Sequence, residues 1–125
     1  MRQPVPQAQI VHPDLNEEVM TEEGCAILES WNTPLDPDVS IARARVAPRS
    51  TTQRHTLDVD ERYIVIEGEG IARIGDHEAE TVMPGDVIVI PAGTPQQITN
   101  RGICDLVIYC VCSPRFTAES YTSLE

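Results

Sequence analysis

Apolar residues in this chain recur at every second position over short runs, and glycine or proline closes each run. The clearest stretch is residues 61–100, ERYIVIEGEGIARIGDHEAETVMPGDVIVIPAGTPQQITN. Gly68, Gly70, Gly75, Gly85 and Gly93 punctuate it with Pro84, Pro91 and Pro95, and the apolar residues between them are mostly Val and Ile. A period of two, β-branched residues and turn formers at the ends specify strands. The same reading predicts strands over 24–31, 39–46, 51–57, 62–67, 71–74, 78–82, 87–90, 96–99 and 104–112. Within them the alternation assigns faces. Val39, Ile41, Arg43 and Arg45 share one side, and Ser40, Ala42, Ala44 and Val46 the other. Gln53, His55 and Leu57 share a face, as do Glu61, Tyr63 and Val65. The run VIVI at 87–90 is apolar throughout, which predicts a strand covered on both sides.

Nine or ten short strands at this spacing predict an all-β sandwich or barrel. The absence of a long amphipathic pattern excludes a parallel α/β fold. Residues 1–23 read as an N-terminal arm, with Pro4, Pro6 and Pro13 followed by an acidic patch from Asp14 to Glu23. Asp14 is placed to cap a short helix there. Residues 24–125 form the domain, and the tail after Cys112 is expected to make one helical turn.

Composition narrows the function. The chain has 125 residues, enough for one domain, and its 41% hydrophobic and 23% charged content is that of an ordinary globular protein. The net charge of −11 argues against nucleic acid, which needs a basic face, and against an anionic membrane surface. No apolar run is long enough to span a membrane, and the first residues, MRQPVPQAQIVHP, lack the apolar core of a secretory signal. The expectation is a cytoplasmic protein with reduced cysteines. Cys25, Cys104, Cys110 and Cys112 include no CxxC pair, so they are expected to pack as small apolar groups. Cys110 and Cys112 share a strand face, and a thiolate metal pair is the sharper alternative there. His12 reads as an exposed or packed histidine of the arm, and His77 as a solvated residue of a hairpin turn. Arg43 and Arg45 read as surface charges unless their face lines a pocket, where they would hold an anionic group.

Two spaced motifs then stand out. Gly85, Pro91, Gly93, Gln96 and Asn100 fall on the pattern G-x5-P-x-G-x2-H-x3-N, with Gln96 at the histidine. Arg49, His55, Leu57, Glu61 and Gly68 fall on G-x5-H-x-H-x3-E-x6-G, with Arg49 at the first glycine and Leu57 at the second histidine. These resemble the two signatures of the cupin family, over about residues 39–112. The resemblance implies a jelly-roll-like double-stranded β-barrel, often a homodimer, with the strand at 24–31 or the arm adding to a neighbour's sheet. It also implies a divalent metal (Fe, Mn, Ni or Zn) held by three histidines and one glutamate. Carried over by position, those places are His55, Leu57, Glu61 and Gln96, and leucine cannot ligate.

Gln53 shares the face of His55 and offers a substitute oxygen, so the metal set would be His55, Glu61, Gln96 and Gln53. An amide oxygen is neutral and a weaker ligand than imidazole for first-row metals. The same residues also suit a closed hydrogen-bond network, because buried polar groups need partners. Three functions stay open at this point. One is a metal-dependent enzyme of dioxygenase, isomerase, decarboxylase or lyase type acting on a small organic molecule, with Glu61 or Tyr63 moving the proton. A second is a metal-independent module that binds or senses a small molecule. The third is a metal-free isomerase or epimerase, with His55 as base, Tyr63 as acid and Glu61 orienting the imidazole.

Overall fold

The computed structural model describes residues 6–125. Pro4 lies outside the described residues. In chain order the strands are β1 (Val19–Met20), β2 (Ala26–Trp31), β3 (Ser40–Val46), β4 (His55–Leu57), β5 (Asp60–Glu67), β6 (Gly70–Ile74), β7 (Glu80–Val82), β8 (Val87–Ile90), β9 (Gln96–Asn100), β10 (Leu106–Ser113) and β11 (Tyr121–Ser123). They form two antiparallel sheets, one ordered β1-β2-β3-β10-β5-β8 and the other β11-β4-β9-β6-β7. Neighbours in a sheet are mostly distant in sequence, as in a jelly roll. The fold is the expected all-β, double-stranded barrel.

Alternation builds the core. On β3 the side of Ser40, Ala44 and Val46 is buried, and on β5 that of Glu61, Tyr63 and Val65. Ile90, Ile98, Leu106 and Ile108 pack with Val46 and Val65 in the main cluster. Full burial of one such side chain contributes about 1.5–3 kcal/mol. A smaller cluster of Leu57, Val59 and Cys112 packs against Phe116 and Tyr121.

The two motifs hold the corners. Gly68 has φ +87, and a Cβ there would lie 2.7 Å from the Asp105 carbonyl, so any side chain would collide with backbone. Asn100 is fully buried. Its amide donates to the carbonyls of Val46 and Cys104, each at 2.8 Å, and its oxygen accepts from Gly102 N at 2.8 Å. Arg49, at the glycine place of the first motif, keeps a glycine-like φ of 65.

Four expectations are revised or extended. The VIVI strand is covered on one side only. Val87 and Val89 are 58% and 63% exposed, because only Ile88 and Ile90 face the core and the outer face of the sheet is bare here, as it is at Ile64 and Ile66 on β5. The N-terminal segment joins the barrel at its end, where Val19 pairs with Ile27 and Met20 with Ala26. Asp14 caps a single 3-10 turn, Leu15–Glu17, rather than a longer helix. The tail makes its turn at Ala118–Ser120 and then adds β11 beside β4. Strand β2 lies between β1 and β3, so in this sheet the free edges are β1 and β8.

Candidate functional site

A cavity of about 360 Å³ opens into the barrel between the inner faces of β2, β3, β4 and β5. Its walls are largely apolar, with Ile27, Ala44, Val46, Leu57 and Ile108 among them. Its polar groups include His55, Glu61, Tyr63, Glu23 and Tyr121.

His55 is buried at the start of β4. Its Nδ1 lies 2.8 Å from the Gln53 carbonyl. A carbonyl only accepts, so Nδ1 carries the proton and the neutral ring keeps its lone pair on Nε2. That Nε2 is 3.9 Å from a carboxylate oxygen of Glu23. The ring stacks on Tyr121, with centroids 4.6 Å apart. Tyr121 in turn donates its hydroxyl to Gln53 Oε1 at 2.5 Å. Strand β11 thus fixes the histidine by pairing Ser123 with His55 and stacking a ring on it.

Glu61 is 6% exposed. Burial raises its carboxyl to about 7, the Gln96 amide and the Cys112 thiol counter part of that rise, and the charge of Glu23 adds to it. Cys112 donates weakly to Glu61 Oε2 at 3.7 Å, and Oε1 has no hydrogen-bond partner. Glu23 is likewise raised by burial, with His55, when protonated, and the Cys25 thiol pulling the other way. Burial pushes the Cys25 and Cys112 thiols up to about 12 and raises Cys110 well above its usual range, so these three stay neutral. Cys104 is exposed instead of packed.

The sequence-predicted residues divide. His55, Glu61 and Tyr63 line the cavity together. Gln96 is opposite His55 in the β4–β9 pairing but is 1% exposed and lies behind the wall. Its amide oxygen accepts the Tyr63 hydroxyl, and its Nε2 has no partner. The Gln53 side chain is turned to Tyr121. Arg43 and Arg45 face away from the cavity. Glu18 holds them at 3.2 and 2.5 Å, and Asp105 also pairs with Arg45 at 3.2 Å. Sequence reasoning passed over Glu23 and Tyr121. Their only local signal was position in segments read as arm and tail, and tertiary pairing brings them to the cavity.

The donors that remain suit a metal ion badly. Leu57 is apolar, and both glutamine oxygens are taken by tyrosine hydroxyls. Among the described residues no group of three or more His, Cys, Asp and Glu has the geometry to hold a metal ion. Nor is any helix among them long and apolar enough to cross a membrane.

Comparison with known proteins agrees with the barrel and its motifs. The chain is 34% identical over 109 residues to an uncharacterised protein, MJ1618, of Methanocaldococcus jannaschii, covering 85% of this chain and 86% of that one. Its fold is similar to that of the plu4264 protein from Photorhabdus luminescens, with 27% identity, 91% and 92% of the two chains covered and a TM-score of 0.72. It is also similar to Pac13, a nucleoside dehydratase of Streptomyces, with 16% identity, coverage of 94% and 92% and a TM-score of 0.75. The family model for the cupin domain matches residues 42–112, the span from β3 to β10 that carries both motifs, and the chain belongs to the cupin family.

Proposed function

We propose that this cupin is a metal-independent acid–base enzyme that moves a proton on a small organic molecule held in its barrel, in an isomerisation or an elimination. The carrying observation is the fixed imidazole of His55. Its Nδ1 proton is committed to the Gln53 carbonyl, its ring is stacked on Tyr121, and Nε2 is left as a base at the cavity. Glu61 is the matching acid. A carboxyl that titrates near neutrality is protonated in a large fraction of molecules and returns its proton readily. The expected role of Tyr63 as proton donor is less well supported, because its hydroxyl already donates to Gln96 and burial raises its pKa. Tyr63 instead holds Gln96 out of the cavity.

Metal chemistry through His55, Glu61, Gln96 and Gln53 would require both amide oxygens to abandon their tyrosine partners, and would still leave one imidazole and one carboxylate as the only strong ligands. That donor set does not fit the Fe, Mn, Ni or Zn expected from the family signatures. Pac13, a nucleoside dehydratase on the same fold, is consistent with an elimination in such a barrel, while its 16% identity carries no substrate over.

The test is solvent deuterium incorporation into a panel of small ketones, hydroxyketones and aminoketones, followed by proton NMR, with protein dialysed against chelator. Incorporation is expected to survive chelation and to fall by about 10²-fold or more in His55→Ala and Glu61→Gln. Activity lost on chelation and restored by a divalent ion would refute the proposal, as would a His55→Ala variant with the wild-type rate.

A further inference from the structure

The charges around the cavity carry information about its ligand. Glu22, Glu23, Glu29 and Glu61 all line it, and among the described residues neither lysine nor arginine does. The nearest strand arginines, Arg43 and Arg45, are on the far face of β3 and are neutralised by Glu18. Four carboxyl groups therefore share one opening with one histidine as the basic side chain among the described residues.

The deepest of them points to a missing partner. Glu61 is more than nine-tenths buried and lines the cavity, and its Oε1 makes no hydrogen bond of ordinary geometry, with only the neutral Gln96 amide near the carboxyl to favour its charged form. A buried carboxylate without a counter-charge is strongly disfavoured. Among the described residues no lysine or arginine lines the cavity, and the Gln96 amide and Cys112 thiol that stand near Glu61 are neutral, so a full counter-charge would come with the ligand. The remaining wall fits such a ligand. Phe116 and Tyr121 offer aromatic surface to a cation, and the apolar residues of β2, β3 and β10 suit a hydrocarbon body. An anionic ligand would meet four carboxyl groups and no arginine. The net charge of −11 draws cations towards the molecule and repels anions.

We propose that the cavity is specific for a small organic cation, a protonated amine on a short apolar body, whose ammonium group is received between Glu61 and Glu23. This rests on the reading of the cavity as the substrate site and names the class of substrate that it takes. The ammonium donates to the unpartnered Glu61 oxygen and to Glu23, and the apolar body lies against the wall that ends at Phe116.

A matched set of probes tests it: phenethylamine, 2-phenylethanol and 3-phenylpropanoate, titrated by calorimetry at about pH 8, where the amine carries its proton. The amine is expected to bind at least about tenfold more tightly than the alcohol, and the carboxylate not at all. Glu61→Gln and Glu23→Gln, each checked for folding by circular dichroism, are expected to weaken the amine by about tenfold or more and to leave the alcohol unchanged. Equal affinity for amine and alcohol, binding of the carboxylate, or wild-type amine affinity in both variants would overturn the proposal. The two readings are separated in the wild type, where amine binding by calorimetry and deuterium incorporation by NMR are measured independently. Amine binding without incorporation in the wild type would end the catalytic reading alone. Incorporation into neutral ketones without amine binding would end this one alone.

Discussion

Replacing Glu61 by glutamine tests whether the cavity carboxyl is held against its own ionisation. In the unfolded chain this group titrates near 4.5, and in the folded barrel burial moves it to about 7. The folded state therefore holds the proton more tightly than the unfolded chain. Between about pH 4.5 and 7 unfolding releases a proton, so stability falls as pH rises through that window and is level above it. A shift of about 2.5 units at about 1.36 kcal/mol each amounts to ~3 kcal/mol lost by the wild type on going to alkaline pH. Glutamine has nearly the same shape and no such term. Glu61→Gln is expected to match the wild type near pH 4.5 and to exceed it by ~3 kcal/mol at about pH 8.

Urea unfolding followed by the fluorescence of Trp31, the single tryptophan, measures this at a series of pH values. With a slope of about 2 kcal/mol/M, the midpoint of the variant would lie ~1.5 M above the wild type at alkaline pH. Taking the difference between the two proteins removes the titration of groups common to both. The repulsion from Glu23, which shares the cavity, is already part of the Glu61 shift and is removed once with the Glu61 charge. A difference that stays constant within about 0.5 kcal/mol from pH 5 to 8 would refute the reasoning, since it would mean that Glu61 ionises as freely in the barrel as in water. A carboxyl that costs stability at the pH where it is charged is the usual mark of a group kept for its chemistry.

Three further outcomes follow from the scaffold. Asn100→Ala removes two donated bonds and one accepted bond from a fully buried side chain and should cost about 3 kcal/mol in the same unfolding assay, with a loss below about 1 kcal/mol counting against its role as the corner brace. Arg49→Gly relieves a left-handed residue of its Cβ, and the gain, net of the added freedom of the unfolded chain, should be ~0.5 kcal/mol; a less stable variant would show that φ 65 is not strained here. The homodimer is expected through the arm or the 24–31 strand; with β2 paired on both sides, a dimer through the exposed outer face of β8 is the alternative, so sedimentation should give twice the 13.8 kDa chain mass and Val89→Lys should lower it, and one chain mass for the wild type would remove the dimer.

What the sequence revealed and what it hid have a common physical cause. Gly68 and Asn100 act within a few residues of themselves, on a turn that admits no Cβ and on carbonyls at one corner. Local constraints of that kind leave local traces, and the fold was legible from them. Glu23 and Tyr121 act across the barrel. Glu23 becomes a cavity residue only because β1 and β2 pair around it, and Tyr121 reaches His55 only because β11 adds to β4. Neither pairing is written in a two- or three-residue strand read alone. VIVI misled for a related reason: an apolar run looks the same whether one face or both are covered, and whether anything packs on Val87 and Val89 is decided by the tertiary layering.

The departures from the family signatures are themselves connected in space. Gln96 stands opposite His55 in the ladder, where a histidine would point a nitrogen towards the same centre. As glutamine it takes the Tyr63 hydroxyl and withdraws from the cavity. Leu57, at the other missing histidine, packs with Val59, Cys112, Phe116 and Tyr121, and so helps to seat the ring that stacks on His55. The two substitutions therefore do more than delete ligands. One closes the wall behind Glu61 and the other supports the aromatic partner of the imidazole, leaving a rigid base and a buried acid at one cavity. Those are the two parts that proton transfer needs and that a metal centre of the family's kind does not.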